Sequence, residues 1–341
     1  MRKVKVEQAI GQVLCHDITK IVPGEFKGAI FKKGHIVREE DVPELLSMGK
    51  EHLYIWEINE GCLHEDTAAL RIAKASGGEG LSFSSPSEGK INFHATSRGL
   101  LKVQVQTLFK INSVPQVVLS TKHNNRVVEK GEIVAGTRVI PMVIDTASIE
   151  QVERICHEAG PVVNVKPFFT RKVAIITTGN EVYRGLIQDK FTPVVVKKLE
   201  SFDAIIIGQK IVPDDPEAIA SSVEYFSAKG AEIILVTGGM SVDPDDVTPA
   251  GVKLAGARIV SYGAPVLPGS MFMMAYLGDV VVMGLPGCVM YARTTIFDLL
   301  LPRVFAGEEI CQKDLIALGH GGLCQECAHC HYPACAFGKG F

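Results

Sequence analysis

Four short apolar runs recur between Lys172 and Phe305: Val173-Ala174-Ile175-Ile176-Thr177, Ala204-Ile205-Ile206-Ile207, Ile233-Ile234-Leu235-Val236 and Val280-Val281-Val282-Met283. Their shortness and β-branching suit strands buried on both faces of a parallel sheet. Helix-compatible stretches separate them, at residues 189–202, 215–229 and 246–255. The alternation predicts an α/β fold with a doubly wound, mostly parallel sheet over residues 170–307.

A polar or glycine-rich loop follows each run: Thr178-Gly179-Asn180-Glu181, Pro213-Asp214-Asp215, Gly238-Gly239 leading into Asp243-Pro244-Asp245-Asp246, and Gly284-Leu285-Pro286-Gly287. Folds of this class bind ligands beyond the carboxyl ends of their strands, where these loops fall. Gly238-Gly239 lets backbone amides approach an anion such as a phosphate, because no side chain blocks the approach. Asp243, Asp245 and Asp246 would repel that anion unless a cation intervened. Magnesium suits the role, being a hard ion held by one or two carboxylates plus substrate oxygens. Glu181 and Asp214-Asp215, at neighbouring strand ends, would complete the acidic cluster. The competing explanation is local: Asp215 and Asp246 each precede a helix-compatible stretch, and an N-cap contributes about 1 kcal/mol.

Composition removes several classes of function. A chain of 341 residues with 47% hydrophobic content can build two or three cores without covalent staples. Its net charge of −3 and the lack of any Lys/Arg run argue against a nucleic-acid partner. The opening Met1-Arg2-Lys3-Val4-Lys5-Val6-Glu7 lacks the apolar centre of an export signal, which predicts a cytoplasmic protein. Residues 262–292 are largely apolar, but Gly263, Pro265, Pro268, Gly269, Gly278, Gly284, Pro286 and Gly287 break them into buried strands and turns, so no membrane contact is expected. A generic nucleotide-binding domain fits poorly, because neither G-x-G-x-x-G nor a Walker sequence follows any run.

Three parts are expected. Residues 1–165 form a mixed α/β or β-rich region, with strand-like runs at 101–109 and 115–120 and turn signals at Gly77-Gly78 and Asn124-Asn125. Residues 161–170, with two prolines, lead into the α/β domain of 170–307. Residues 308–341 are a Cys-rich tail carrying four of the nine cysteines, Cys324, Cys327, Cys330 and Cys335, as C-x2-C-x2-C-x4-C. Disulfides are not expected without export, and thiolates this dense point to a soft metal. An iron–sulfur cluster is favoured over a four-cysteine zinc site, with His329 and His331 as substitute ligands. The glycines from Gly319 to Gly322 predict a mobile hinge that lets the tail dock on another protein or on the ligand site.

The ordered blocks Thr177-Thr178-Gly179-Asn180-Glu181, Val212-Pro213-Asp214-Asp215-Pro216, Thr237-Gly238-Gly239-Met240-Ser241-Val242 with Asp246, and Gly284-Leu285-Pro286-Gly287 resemble the molybdopterin-binding domain of the molybdenum-cofactor biosynthesis family. The resemblance covers roughly residues 172–305 and is closer to the molybdopterin molybdenumtransferases than to the adenylyltransferases. It implies that the sheet's carboxyl edge binds a phosphorylated pyranopterin and that magnesium helps exchange adenylate for molybdate. It implies catalytic roles for Glu181, Asp215 and Asp246, metal ligation by Asp214 and Asp246, and cofactor contacts from Thr178, Gly179, Gly238, Gly239, Ser241, Pro286, Gly287 and Cys288. It also implies a homodimer with shared sites, and a molybdoenzyme or another cofactor-assembly protein as partner.

The chain departs from that family pattern in several places. Pro268-Gly269 is flanked by Leu267 and Ser270, where the family carries phosphate-contacting lysines, so magnesium or Arg293 must substitute or the substrate differs. Asn180 stands in place of Asp. Cys288 follows Gly-Leu-Pro-Gly in place of Asn, as a soft ligand or as a small buried hydrophobe. The N-terminal part lacks the linker that supplies the other half of the family's site. His16-Asp17, Lys33-Gly34-His35, His64-Glu65-Asp66 and Glu88-Gly89-Lys90 are polar clusters that could reach a site or be solvated loops. The alternative function is a carrier, storage or sensor protein for the finished cofactor, with the tail serving redox sensing or docking.

Overall fold

The computed structural model describes residues 2–22, 24–55, 61–241 and 246–340. The chain divides into two compact units, one of residues 1–96, 103–122 and 130–164, the other of residues 97–102, 123–129 and 165–341.

The first unit is mixed. A four-stranded antiparallel sheet runs in the order Leu81–Phe83, Lys90–Ala95, Ile133–Val139 and Val117–Thr121. Helices Glu65–Ser76 and Thr146–Ala159 belong to the same unit, and Ala68, Ala69, Ile72, Ile149 and Val152 on them are buried. Residues 101–109, expected as one strand, instead contain a strand end at Val103 followed by the helix Val105–Asn112. That helix puts Thr107 and Ile111 in the interior, four residues apart on one face, a spacing its short apolar sequence did not separate from strand alternation. The run 115–120 does form a strand, Val117–Thr121.

The second unit is built on a six-stranded sheet in the order Ile205–Val212, Lys172–Thr178, Ile233–Thr237, Val280–Leu285, Met273–Leu277 and Arg258–Tyr262. The first four strands run parallel, and the two remaining neighbouring pairs are antiparallel. Because successive side chains on a strand face opposite ways, the sheet makes two cores. Val173, Ile175, Ile233 and Leu235 pack with Val195 and Leu199 of helix Phe191–Leu199 and with Phe297, Leu300 and Val304 of helix Ile296–Phe305. Ala174, Ile176, Ile234 and Val236 pack on the other side with Ile219, Val223 and Phe226 of helix Pro216–Ala228 and Val252 of helix Thr248–Leu254. Helices therefore cover both faces, as a doubly wound sheet requires.

One expected buried strand is not buried on both faces. Ile205 and Ile206 are 51% and 41% exposed, because their strand lies at the edge of the sheet. The apolar stretch 262–292 resolves into the antiparallel strands Met273–Leu277 and Val280–Leu285 with a turn at Gly278. No helix among the described residues is long and apolar enough to cross a membrane.

The tail does not hang from a free hinge. Ile310, Leu315 and Phe337 are buried in the layer that holds Phe297 and Leu300. The Leu267 N–H donates to the Gly322 carbonyl at 2.8 Å, the Cys324 N–H donates to the Leu267 carbonyl at 2.8 Å, and the Gly338 N–H donates to the Gly321 carbonyl at 2.9 Å. Gly322 is glycine for space, since a Cβ there would lie 2.4 Å from the Pro265 carbonyl oxygen. The glycines serve close packing, and the segment they were expected to loosen is pinned at both ends.

Candidate functional site

The strand register gathers the four loops. Thr178 is paired with Val212, Thr177 with Thr237, and Thr237 with Leu285, so the strand ends lie side by side. From these ends the chain diverges. The segments after Thr178 and Leu285 lead to helices on one face, and the segment after Thr237 leads to the helix Thr248–Leu254 on the other. Divergence at adjacent parallel strands opens a crevice at the carboxyl edge.

A cavity of about 570 Å³ occupies that edge, with Gly238, Gly239, Ser241, Asp246, Pro286, Gly287 and Cys288 among its lining. Gly238 has φ +89°, and a Cβ on it would sit 2.3 Å from the Thr178 carbonyl oxygen; Gly239 has φ +56° and abuts the Thr248 hydroxyl. Both positions therefore demand glycine, which keeps their backbone open to the cavity. Gly287 has no atom within 4 Å of an added Cβ, leaving another bare stretch of backbone. These surfaces suit a phosphate-bearing ligand by shape, but no Lys or Arg lies among the described lining residues. Arg293, the expected substitute for the missing lysines, lines a different cavity.

The carboxylates lie beside this cavity. Asp214 accepts a hydrogen bond from the Asn180 N–H at 2.8 Å, and burial, followed by repulsion from Glu181 and Asp246, pushes its pKa up. Three acidic side chains thus act on one another at the sheet edge, and Asp246 extends the group into the cavity. A divalent cation would relieve that repulsion, so the donor set fits magnesium in charge and in ligand type. Among the described residues, however, no three His, Cys, Asp or Glu side chains are already gathered around an ion-sized point. Asp243 and Asp245, with Val242, lie outside the described residues.

The remaining candidates separate. Asp215 is the N-cap of helix Pro216–Ala228, its carboxylate accepting from the Ala218 N–H at 3.1 Å. Asp246 is not such a cap, because helix Thr248–Leu254 has Val247 at its N-cap and no side-chain capping bond. Glu181 lies on the short, exposed helix Asn180–Tyr183. Thr178 and Gly179 are buried at the strand end and do not line the cavity, although the Thr178 hydroxyl meets that of Thr248 at 3.4 Å and helps fix the base of the loop. Cys288 does line the cavity, and burial, then repulsion from Asp298, raises its pKa, so it is held as a thiol.

Sequence reasoning missed Tyr262. Its hydroxyl donates to the Met240 and Ser241 carbonyl oxygens at 3.1 and 3.0 Å, tying down the loop that carries Gly238-Gly239. It also missed Asp189, whose carboxylate accepts from Thr177, Thr192 and Gln209 and fixes the start of helix Phe191–Leu199. Burial works against the charge of Asp189, yet these hydrogen bonds hold its pKa below the usual carboxylate range.

Within the first unit, the four polar clusters converge. The Lys33 ammonium donates to Asp66 at 2.7 Å and to His64 Nδ1 at 3.0 Å, while His64 Nε2 donates to the Cys15 carbonyl at 2.7 Å. Asp66 also accepts from the Gly89 N–H at 3.1 Å, and Asp17 accepts from the Lys33 N–H at 2.7 Å. Glu88 accepts from the Thr19 hydroxyl at 2.8 Å, and burial raises the pKa of Glu65. The cluster is largely satisfied internally, which is the signature of a structural knot as well as of a prepared site.

Residues 174–306 match the family described as "Probable molybdopterin binding domain", and residues 3–57 match a domain of unknown function. A molybdopterin molybdenumtransferase of Synechococcus elongatus is 26% identical over 144 residues, covering 39% of this chain and 36% of that protein. A CinA-like protein of Citrifermentans bemidjiense is 32% identical over 89 residues, 26% of this chain and 21% of that protein. The match thus spans about a third or less of these curated relatives. The solved molybdopterin biosynthesis enzyme MoaB of Thermus thermophilus aligns over 41% of this chain and 98% of its own, at 21% identity and a TM-score of 0.35. By the family match, residues 174–306 are a domain of the type described as "Probable molybdopterin binding domain".

Proposed function

We propose that this protein binds molybdopterin in the cavity at the sheet's carboxyl edge and inserts molybdate into the adenylylated form. The observation that carries the reading is the meeting of bare backbone at Gly238 and Gly239 with Asp246 in one cavity, next to an Asp214 that feels both Glu181 and Asp246. Gly238, Gly239 and Gly287 would receive the phosphate, with Ser241 and the Cys288 thiol facing the ligand. Glu181, Asp214 and Asp246 would hold magnesium, which supplies neutralisation of the phosphoanhydride and of the incoming molybdate. Asp215, as a cap, would act by fixing the loop that presents Asp214. A homodimer with a site shared between chains, a cytoplasmic location, and delivery to a molybdoenzyme or another assembly protein belong to the same proposal.

A second reading, a carrier or sensor of the finished cofactor, is favoured by one specific observation: no described Lys or Arg lines the cavity. Charge-assisted hydrogen bonds are worth about 1.5–3 kcal/mol each, so their absence weakens the grip on a substrate's charged groups. Equilibrium binding of molybdopterin, with and without magnesium, tests the shared part of both readings. Tighter binding with magnesium that is lost in Asp246→Asn supports the assigned ligands; no saturable binding to the wild-type chain rejects both.

A further inference from the structure

A second cavity, of about 330 Å³, adjoins the first through Pro268 and Tyr291, which line both. All four tail cysteines, Cys324, Cys327, Cys330 and Cys335, line it. Their loop is held in place rather than extended: Leu267 grips it next to Cys324, the Tyr332 hydroxyl donates to the Asp298 carbonyl at 3.2 Å between Cys330 and Cys335, and Phe337 is buried beyond them. The Thr294 hydroxyl lies 3.5 Å from the Cys330 sulfur at the cavity wall.

Spacing separates the possible occupants. A structural zinc ion bonds four sulfurs at about 2.3 Å, which brings those sulfurs within roughly 4 Å of one another and leaves no cavity. Here the four cysteines line one cavity of about 330 Å³, and among the described residues no three ligating side chains converge on a single-ion point. An inorganic cluster has the opposite requirement, since each cysteine binds a different iron and the core holds the sulfurs apart. In two-cluster ferredoxin sequences the fourth cysteine of such a string serves another cluster, whereas here the fold returns Cys335 to the cavity of the other three.

We propose that Cys324, Cys327, Cys330 and Cys335 bind one iron–sulfur cluster in this cavity, beside the pterin site. Cluster binding by these cysteines requires no pterin in the neighbouring cavity. Ligation takes the four thiols to thiolates, with their protons released to solvent, and the core assembles from two ferrous ions, two ferric ions and four sulfides supplied from outside the chain, with no net oxidation or reduction.

The test is anaerobic reconstitution of the full chain with equal amounts of ferrous and ferric iron and with sulfide. Iron and sulfide content are read together with visible absorption and the paramagnetic signal after reduction. About four irons and four sulfides per chain, with an iron–sulfur chromophore, are expected. Cys327→Ser, at an exposed position, should lose most of the chromophore while the cluster-free chain melts as the wild type does, and Cys311→Ser, outside the cavity, should retain it. A chromophore retained in full by a Cys324→Ser/Cys327→Ser double variant would overturn the assignment. So would tight uptake of one zinc ion by a wild-type chain that forms no chromophore.

Discussion

Asp214 and Asn180 hold each other across two adjacent strand ends: the Asn180 N–H donates to the Asp214 carboxylate at 2.8 Å, and the Asp214 N–H donates to the Asn180 side-chain oxygen at 3.4 Å. The pair fixes the first two loops of the site relative to each other. It also gives Asn180 a role at the position where a carboxylate was expected: its amide accepts from the Asp214 backbone without adding a negative charge to an acidic group already under repulsion.

That repulsion has a sign that can be measured. The raised pKa of Asp214 means the folded state binds its proton more readily than the unfolded chain does. Its contribution to stability is therefore favourable below the ordinary carboxylate range and is lost as pH rises through the raised value. Asp214→Asn should make unfolding in the absence of magnesium less sensitive to pH above that range and should abolish any stabilisation by magnesium. Denaturant titrations at several pH values, with and without the ion, check this; a magnesium effect preserved in the variant contradicts the assignment.

Asp246→Asn should lower molybdate-dependent turnover on the order of 100-fold, since a bound metal's charge stabilisation is worth several kcal/mol. Asn keeps the shape of the side chain and its capacity to accept a hydrogen bond, so the melting temperature should change little. Steady-state rates beside a thermal melt distinguish a lost ligand from a lost fold.

Gly238→Ala forces a Cβ to within 2.3 Å of the Thr178 carbonyl oxygen at a φ of +89°. A cost of about 1–3 kcal/mol from backbone strain is expected, with the displaced loop abolishing pterin binding. Urea unfolding and pterin titration should change together.

Tyr262→Phe removes two hydrogen bonds to the carbonyls of Met240 and Ser241. A destabilisation of about 1 kcal/mol is expected, together with weaker pterin binding. An unchanged pterin affinity would show that this hydroxyl does not position the loop.

Farther from the site, Glu308 accepts from Lys102, Lys166 and Arg303, and Arg303 also donates to Asp314 at 2.7 Å. Glu308→Gln should cost about 3 kcal/mol, because it removes the buried negative charge that Lys102 and Arg303 share, leaving Arg303 with Asp314 alone. Hydrogen bonds from Cys311 and Arg303, outweighing the opposing effect of burial, bring Asp314 down to about 2. Its stabilisation is present above the ordinary carboxylate range and is lost as pH falls towards 2, so acid unfolding followed by circular dichroism should be shallower in Asp314→Asn.

What could be read in the sequence was local or strongly periodic. The runs at Val173, Ile233 and Val280 announced a sheet because their burial leaves no polar position, and the loops followed from the glycines and aspartates that end them. The edge position of Ile205 and Ile206 escaped notice, since exposure depends on strand order and not on composition. The helix Val105–Asn112 was masked by its β-branched start, where strand and helix periods coincide over a few residues. Tyr262 and the Lys33–His64–Asp66 contacts left no local signal, because their partners lie from 21 to 33 residues away along the chain. The glycines before the tail suggested freedom, whereas Gly322 is glycine so that two backbones can touch.

The most direct test of the central claim is to give the anaerobically purified chain adenylylated molybdopterin, magnesium and molybdate, and to follow AMP release together with metal-loaded cofactor. The account predicts AMP release that requires molybdate and is lost in Asp246→Asn. Pterin that binds but keeps its adenylate, with or without molybdate, would contradict insertion and leave the carrier reading in its place.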